Sequence, residues 1–226
     1  MFRDKMSPCV RERTIAQAWP VCLQRIVSYG KLVGATVDQR GDQTYEMLCF
    51  RVEVTDPLQD MIPRLPRMPG VTAWGRNDLL DEYYEAEIIG TRPKPSGFSY
   101  VYADWIRPMI PVVIDLLRSC PTSRRAVIPI SAQDDALQPD PPCLRLIQFL
   151  IRGGHLVMIT LWRSRDYAGA AATNMYGMVR LQEHVASELG IPVGRYIDVS
   201  DSAHIRIGKK DNKNDRGDLC WVEEVI

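Results

Sequence analysis

The sequence lacks an excess of charge of either sign. Its 226 residues include 28 Lys and Arg against 28 Asp and Glu, which gives a formal net charge of zero. A balanced chain offers no chain-wide positive surface, so we expect no nucleic-acid partner. The sequence also has no apolar run near the roughly 18 residues that cross a bilayer, and residues 1–10 contain no apolar signal segment. We therefore expect a cytoplasmic protein that does not enter a membrane.

Cysteine pairs with the spacing of metal ligands are absent too. The six cysteines are Cys9, Cys22, Cys49, Cys120, Cys143 and Cys220. No Cys-x-x-Cys motif occurs among them, so we expect no zinc and no other metal. Without an export signal, a chain of this length is expected to keep its cysteines as free thiols.

The composition that is present is that of an ordinary globular domain. Apolar residues make up 46% of the chain and charged residues 25%, and the length suffices for one sizeable core. We predict a single domain over 1–226 that ends in a polar tail at 208–226. Strand-like segments alternate with helical ones, which predicts an α+β fold with α/β layers.

Apolar periodicity places the main elements. It predicts helices at 15–28, 77–89, 104–119 and 175–189, the last of them stopped by Gly190. Strands are predicted at 126–130, 144–151 and 155–162, and two more at 34–54 around a turn at 40–42. The Arg152-Gly153-Gly154 segment predicts a hairpin between two of these strands.

Two short motifs carry candidate chemistry in the middle of the chain. Ser123-Arg124-Arg125 lies between a helix and a strand, where paired guanidinium groups can grip a phosphate; a solvated loop is the alternative. Pro142-Cys143 leads into an apolar strand. Its thiol is either a nucleophile activated by nearby cations or a small buried apolar group.

Two further motifs follow. Arg163-Ser164-Arg165-Asp166 ends a strand, and the small residues at 169–172 would let a planar ligand approach the backbone. Asn174, predicted to open a helix with Thr173, either reads a pyrimidine edge with its amide or caps the helix. His204 either bonds a sugar hydroxyl or is a loop histidine in contact with water.

Taken together, these segments resemble the thymidylate synthase family, most closely its short archaeal-type branch. The resemblance is good from about residue 100 to residue 207. It rests on 121–127, on Pro141-Pro142-Cys143, on 163–166, on Asn174 with the Tyr176-Gly177 run, and on 202–204. The fold that this resemblance implies is a central mixed β-sheet packed by helices, with one sheet face at the interface of a homodimer that shares its active sites.

The resemblance also implies roles for individual residues. Cys143 would add to carbon 6 of a pyrimidine nucleoside monophosphate, and 5,10-methylenetetrahydrofolate or methylene-tetrahydromethanopterin would supply the carbon for carbon 5. Tyr102 would order water near the departing proton. The family's catalytic carboxylate would be Glu82, with Asp81 and Asp78 as competitors.

The implied substrate-binding residues surround the nucleotide. Arg163 and Ser164 would hold the phosphate, Arg40 would close over it, and Arg124 and Arg125 would reach the partner subunit's phosphate. The remaining ones are Asp166 and Asn174 at the base, and His204 and Arg206 at the sugar.

The chain departs from the family pattern at several positions. Leu144 follows the nucleophile in place of histidine, Trp162 replaces a glutamine, and Arg206 replaces a ribose-binding tyrosine; the usual closing segment after it is not recognisable. The leading hypothesis is methylation of dUMP to dTMP, which an asparagine at 174 favours. Two alternatives stay open: a hydroxymethylase of dUMP, dCMP or CMP, and a non-catalytic nucleotide-binding scaffold.

Overall fold

The computed structural model describes residues 7–34, 42–62, 77–93, 100–131, 135–138, 141–209 and 222–223. Within these ranges the elements follow one another as β1 (Cys9–Glu12), α1 (Ile15–Tyr29), β2 (Lys31–Val33), β3 (Asp42–Val54), α2 (Asn77–Tyr83), a π-helical turn (Tyr84–Ile88), α3 (Ala103–Ser119), β4 (Val127–Pro129), a 3₁₀ turn (Asp135–Leu137), β5 (Leu144–Arg152), β6 (His155–Trp162), β7 (Arg165–Asp166), α4 (Ala171–Leu189) and β8 (Val193–Lys209).

The strands of the described residues form one mixed sheet. Its order is β1-β3-β8-β6-β5-β4, with β2 added beside β3 and β7 beside β8. The β1–β3, β6–β8 and β7–β8 pairs are parallel, whereas β2–β3, β3–β8, β4–β5 and β5–β6 are antiparallel. The prediction of an α+β fold with a mixed sheet is therefore confirmed.

Helices α1, α3 and α4 cover one side of the sheet and share its apolar core. In α1 the residues at helical spacing are fully buried, and Thr14 caps the helix by accepting a hydrogen bond from the Gln17 amide at 3.2 Å. The opposite side of the sheet carries half-buried apolar side chains, namely Leu146, Leu150, Ile159, Leu161 and Val199. No helix in the described part of the chain combines the length and the hydropathy of a membrane span.

Most predicted elements occur where the periodicity placed them. The β5–β6 hairpin turns through Gly153 and Gly154, whose φ values of 59° and 78° suit glycine. Gly190 ends α4 in the left-handed conformation, with φ 66°. The segment predicted as a helix at 77–89 is helical, but its second half is a π-helical turn.

Other expectations were wrong. β1 and most of β8 were not predicted, because β1 has only four residues and β8 buries the polar residues Asp198 and Ser200 on its core side. β8 also continues to Lys209, inside the segment predicted as a polar tail. Helix α4 begins at Ala171, before Thr173 and Asn174, so neither of these residues caps it.

A buried ion pair lies between the sheet and the helices. Arg165 Nη1 is 2.8 Å from Asp198 Oδ2, and both side chains are almost completely buried. The guanidinium lies 3.8 Å from the centre of the Trp162 ring, and its Nη2 donates to the Ala171 carbonyl at 3.0 Å. Burial acts to lower the pKa of Arg165, but Asp198 and the neighbouring tyrosines raise it on balance, so the guanidinium is charged. Asp198 also accepts a hydrogen bond from Tyr196 Oη at 2.6 Å.

We expect Asp198→Asn to lower the free energy of unfolding by about 3–5 kcal/mol, because it leaves the Arg165 charge buried without its counter-ion. Asp56→Asn is the matched control, since Asp56 pairs with Arg13 in an exposed salt bridge and should contribute about 0–1 kcal/mol. Urea unfolding of both variants measures the difference. A loss below about 1 kcal/mol for Asp198→Asn would contradict a structural role for the pair.

Candidate active site

Cys143 stands at the entrance to β5 and is held there by Arg163. The Arg163 guanidinium donates from Nε to the Pro142 carbonyl at 3.1 Å and from Nη2 to the Pro141 carbonyl at 2.6 Å. The Arg163 amide donates to the Cys143 carbonyl at 2.9 Å. Cys143 is a half-buried, reduced thiol. The two motifs that sequence reasoning treated separately therefore form one unit, with the positive charge placed beside the thiol's own loop.

A group of aromatic side chains lies next to this unit. The Tyr102 ring meets the Trp162 ring edge-to-face at 5.8 Å and the Tyr100 ring at 5.6 Å, and Tyr100 in turn meets Trp105 at 6.0 Å. Burial raises the pKa of the Tyr102 phenol, and Cys143 is among the neighbouring groups that raise it further. Tyr102 is thus a neutral phenol near the thiol, as a residue that orders water requires.

Asn174 lies in the first turn of α4 and contacts a residue that the sequence did not mark. Its Nδ2 donates to Tyr83 Oη at 2.6 Å. Tyr83, at the end of α2, also influences Tyr102 electrostatically. Asn174 is therefore connected through Tyr83 to Tyr102 and Cys143, and Tyr83 is a residue that the sequence analysis did not name.

The carboxylates near α2 occupy very different surroundings. Glu82 is exposed and lies 3.9 Å from Arg92, while Asp81 accepts a hydrogen bond from Tyr176 Oη at 2.5 Å. The Asp78 side chain lies outside the described residues. Glu87, in the π-helical turn, is buried and close enough to Tyr83 to add to the rise of that phenol's pKa, which burial itself causes. The sequence could have indicated its burial, because Glu87 stands between the apolar residues Ala86 and Ile88.

Asp166 and His204 face each other across the β7–β8 pair. Asp166 Oδ1 accepts hydrogen bonds from the amides of Ala168 and Gly169 at 3.1 and 2.8 Å. A Cβ on Gly169 would come within 2.5 Å of Asp166 Oδ2. The small residue at 169 was expected to admit a planar ligand, but the group that approaches this backbone is the Asp166 carboxylate.

His204 is buried within β8 and is not a loop histidine. Burial lowers its pKa, while Asp166 and Glu46 act in the opposite direction without reversing the shift. The imidazole is therefore neutral at pH 7 and can both donate and accept, as a sugar hydroxyl requires. Arg206, two residues further along β8, is half-buried opposite Thr44 in β3. Ser164 is half-buried in the bend between β6 and β7.

Arg124 and Arg125 lie apart from this cluster. Both are exposed in the turn before β4. Because Val127 pairs with Gln148, this turn is level with Leu150 near the far end of β5. That end is separated from Cys143 by seven residues of extended chain, or about 23 Å. The predicted phosphate residue Arg40 lies outside the described residues.

The described cluster brings together a thiol, neutral phenols, an amide and a buried carboxylate. A thiolate can form a covalent bond to an electron-poor ring carbon, and the amide offers a paired donor and acceptor for the edge of a planar base. Arg163 donates two of its N–H groups to the prolines, and among the described residues the rest of its fork can meet an anion. The arrangement suits covalent chemistry on a heterocycle that carries a phosphate.

Comparisons with known proteins point the same way. A family model described as thymidylate synthase matches residues 100–213. The chain is 34% identical over 210 residues to a Methanosarcina barkeri protein named "Putative thymidylate synthase", which covers 90% of this chain and 91% of the relative. A Methanothermobacter thermautotrophicus protein of the same name is 31% identical, covering 88% and 94% of the two chains. Sequence and structure together show that this chain is an enzyme that belongs to the thymidylate synthase family.

Proposed function

We propose that this enzyme transfers a one-carbon unit to carbon 5 of dUMP and releases dTMP, with Cys143 as the nucleophile. Family membership implies a nucleotide substrate and a folate-type one-carbon donor. The observation that carries the proposal is the Arg163 clamp on Pro141 and Pro142. Through this clamp, the group expected to bind the substrate phosphate also fixes the loop that presents the thiol, so binding and positioning are coupled.

In this mechanism the Cys143 thiolate forms a bond to carbon 6 of the pyrimidine. The ring's carbon 5–carbon 6 electron pair moves toward carbon 5, which becomes the nucleophile for the incoming carbon. Carbon 5 would then lose its proton as the methylene's bond to the carrier breaks. A hydride supplied by the reduced carrier, which is oxidised in turn, would convert the methylene into a methyl group, and expulsion of the thiolate would restore the ring. Arg163 holds the loop that presents the thiol, and the neutral phenol of Tyr102 can order the water that receives the proton.

The one-carbon donor needs a flat apolar surface next to the thiol. Tyr100 and Trp105 are half-buried, lie edge-to-face at 6.0 Å, and are connected to Tyr102 through Tyr100. These rings fit a pterin and would hold it, and a bound methylene-tetrahydropterin would supply the carbon and the reducing equivalents. Binding measurements with each carrier would distinguish tetrahydrofolate from tetrahydromethanopterin.

We further propose that the active site is completed by a second copy of the chain. Arg124 and Arg125 are exposed about 23 Å along the sheet from the thiol of their own chain. The side of the sheet away from the helices carries half-buried apolar residues, which is the character of a surface that a partner covers. A homodimer formed through this side would bring the two arginines toward the partner's phosphate.

A buried carboxylate suits the proton-relay role better than an exposed one. Glu87 is buried beside Tyr83, whereas Glu82 lies at the surface near Arg92. We therefore propose Glu87 ahead of Glu82 as the carboxylate that organises water around the base.

The product identifies the reaction. Incubating the full chain with dUMP and 5,10-methylenetetrahydrofolate is expected to give a nucleotide in which a methyl group replaces the hydrogen on carbon 5. Mass spectrometry measures the change in mass. Cys143→Ser should lower turnover on the order of a thousandfold or more and abolish the covalent adduct with 5-fluoro-dUMP. Cys120→Ser, an exposed free thiol, is the control and should leave both intact. A product heavier by a hydroxymethyl group would replace methylation with hydroxymethylation.

The two carboxylates can be separated by matched amide variants. Glu87→Gln is expected to lower kcat by about 100-fold or more, because a neutral amide cannot relay a proton. Glu82→Gln should stay close to wild type, since its carboxylate is exposed. Steady-state kinetics and nucleotide binding are measured for both variants. The reverse pattern, with the large loss at Glu82, would restore Glu82 to the role.

Subunit mixing tests the shared site. Cys143→Ser protein and an Arg124→Ala/Arg125→Ala protein should each be inactive, and mixing them under conditions that exchange subunits should restore dTMP formation. In the hybrid, one site combines an intact thiol with intact partner arginines. A mixture of Cys143→Ser with Cys143→Ala is the control and should stay inactive. Hybrid dimers without activity would show that the arginines serve their own chain.

A further inference from the structure

The hydrogen bond between Asn174 and Tyr83 joins α4 to the end of α2 beside the candidate site. Asn174 Nδ2 donates to Tyr83 Oη at 2.6 Å across 91 residues of sequence. An asparagine amide has one acceptor and two N–H donors. This contact uses one donor and leaves the carbonyl oxygen and the second N–H side by side for a ligand.

The position of Tyr83 is fixed by close packing against α4. A Cβ placed on Gly177 would lie 2.8 Å from Tyr83 Cε1 and 3.0 Å from Ile88 Cγ1. Real Cβ atoms do not approach other atoms this closely, so only glycine lets the ring lie against the helix at this level. Gly177 is three residues after Asn174 and thus on the same helix face. The ring therefore rests on one turn of α4 while its hydroxyl reaches the amide on the previous turn.

The Tyr83 hydroxyl stays neutral in this environment. Burial raises the pKa of the phenol, the Asn174 hydrogen bond opposes that rise, and the Glu87 carboxylate adds to it. The neutral hydroxyl keeps a lone pair with which it accepts the Asn174 N–H.

The direction of this hydrogen bond sets which way the amide faces. Uracil presents an N–H at position 3 beside a carbonyl oxygen at position 4, whereas cytosine presents a ring nitrogen beside an amino group. The two bases therefore require opposite orders of donor and acceptor on the protein. An amide exchanges the two orders only by rotating about its last torsion, and that rotation would replace Nδ2 with Oδ1 at the Tyr83 oxygen. The Tyr83 hydroxyl accepts in the observed contact, so it would have to turn its proton toward Asn174 and away from the Glu87 carboxylate, which attracts that proton.

We propose that Tyr83 is a positioning residue that holds the Asn174 amide in one orientation and thereby sets the discrimination between uracil and cytosine nucleotides. This inference rests on the proposed function, because it takes Asn174 as the residue that meets the base. Tyr83 itself need not touch the substrate.

The test compares the affinities for dUMP and dCMP in three full-length proteins: wild type, Tyr83→Phe and Tyr84→Phe. Wild type is expected to prefer dUMP. Tyr83→Phe keeps the ring and loses the hydroxyl, so the amide turns freely. The dissociation constant for dCMP divided by that for dUMP should then fall by about three- to tenfold, the range of one net hydrogen bond. Tyr84 is the matched control because its ring lies over Arg180, 5.6 Å away, and Tyr84→Phe should keep the wild-type ratio.

A second variant approaches the same contact from the other helix. Gly177→Ala should displace the Tyr83 ring and also lower the preference for dUMP over dCMP. The double variant Tyr83→Phe/Gly177→Ala should lower this preference no further than Tyr83→Phe alone. The ratio is informative because general damage to the site weakens both nucleotides equally.

Each outcome decides a different claim. An unchanged ratio in Tyr83→Phe, or an equal loss of affinity for both nucleotides, would overturn the role of Tyr83 while leaving the proposed function intact. If the wild-type protein bound neither nucleotide, the proposed function would fail, and this inference with it.

Discussion

The active site depends on a buried charge that does not itself face the substrate. Arg165 contacts Trp162 at the end of β6, Asp198 in β8 and the carbonyl of Ala171 at the start of α4. Between these contacts runs the segment that carries Arg163, Ser164 and Asp166, and α4 then presents Asn174. One guanidinium therefore fixes where a strand ends and where a helix begins. Removing its counter-ion would disturb the positions of Arg163 and Asn174 together.

The buried tyrosine and histidine side chains of the candidate site are neutral. Tyr83 and Tyr102 have raised pKa values because they are buried, and His204 has a lowered one, so all three are uncharged at pH 7. The positive charge is concentrated at Arg163, on the loop that carries Cys143. This division separates two tasks. In the proposed reaction the charge would serve the phosphate, while the neutral donors and acceptors would serve the base and the sugar.

Sequence reasoning found the parts that leave a regular trace. Apolar periodicity located α1, α3 and α4, and paired glycines located the β5–β6 turn, because these signals are local. It did not find β8, since Asp198 and Ser200 are buried polar residues that only tertiary partners explain. The ordered motifs identified the family, but the surroundings of each side chain could not be read from spacing. Tyr83 contacts Asn174 across 91 residues, and Glu87 is distinguished from Glu82 only by burial.

The π-helical turn at Tyr84–Ile88 makes this site sensitive to chain length. Its Ile89 amide bonds the Tyr84 carbonyl five residues back, at 3.0 Å, where an α-helix would bond four back. Deleting a single residue here would restore α-helical geometry and rotate everything before it by about 100°. Tyr83 would then leave Asn174 although neither side chain had changed. A one-residue gap at this turn in the sequence of a relative would therefore mean that the residue matching Asn174 has a different neighbour.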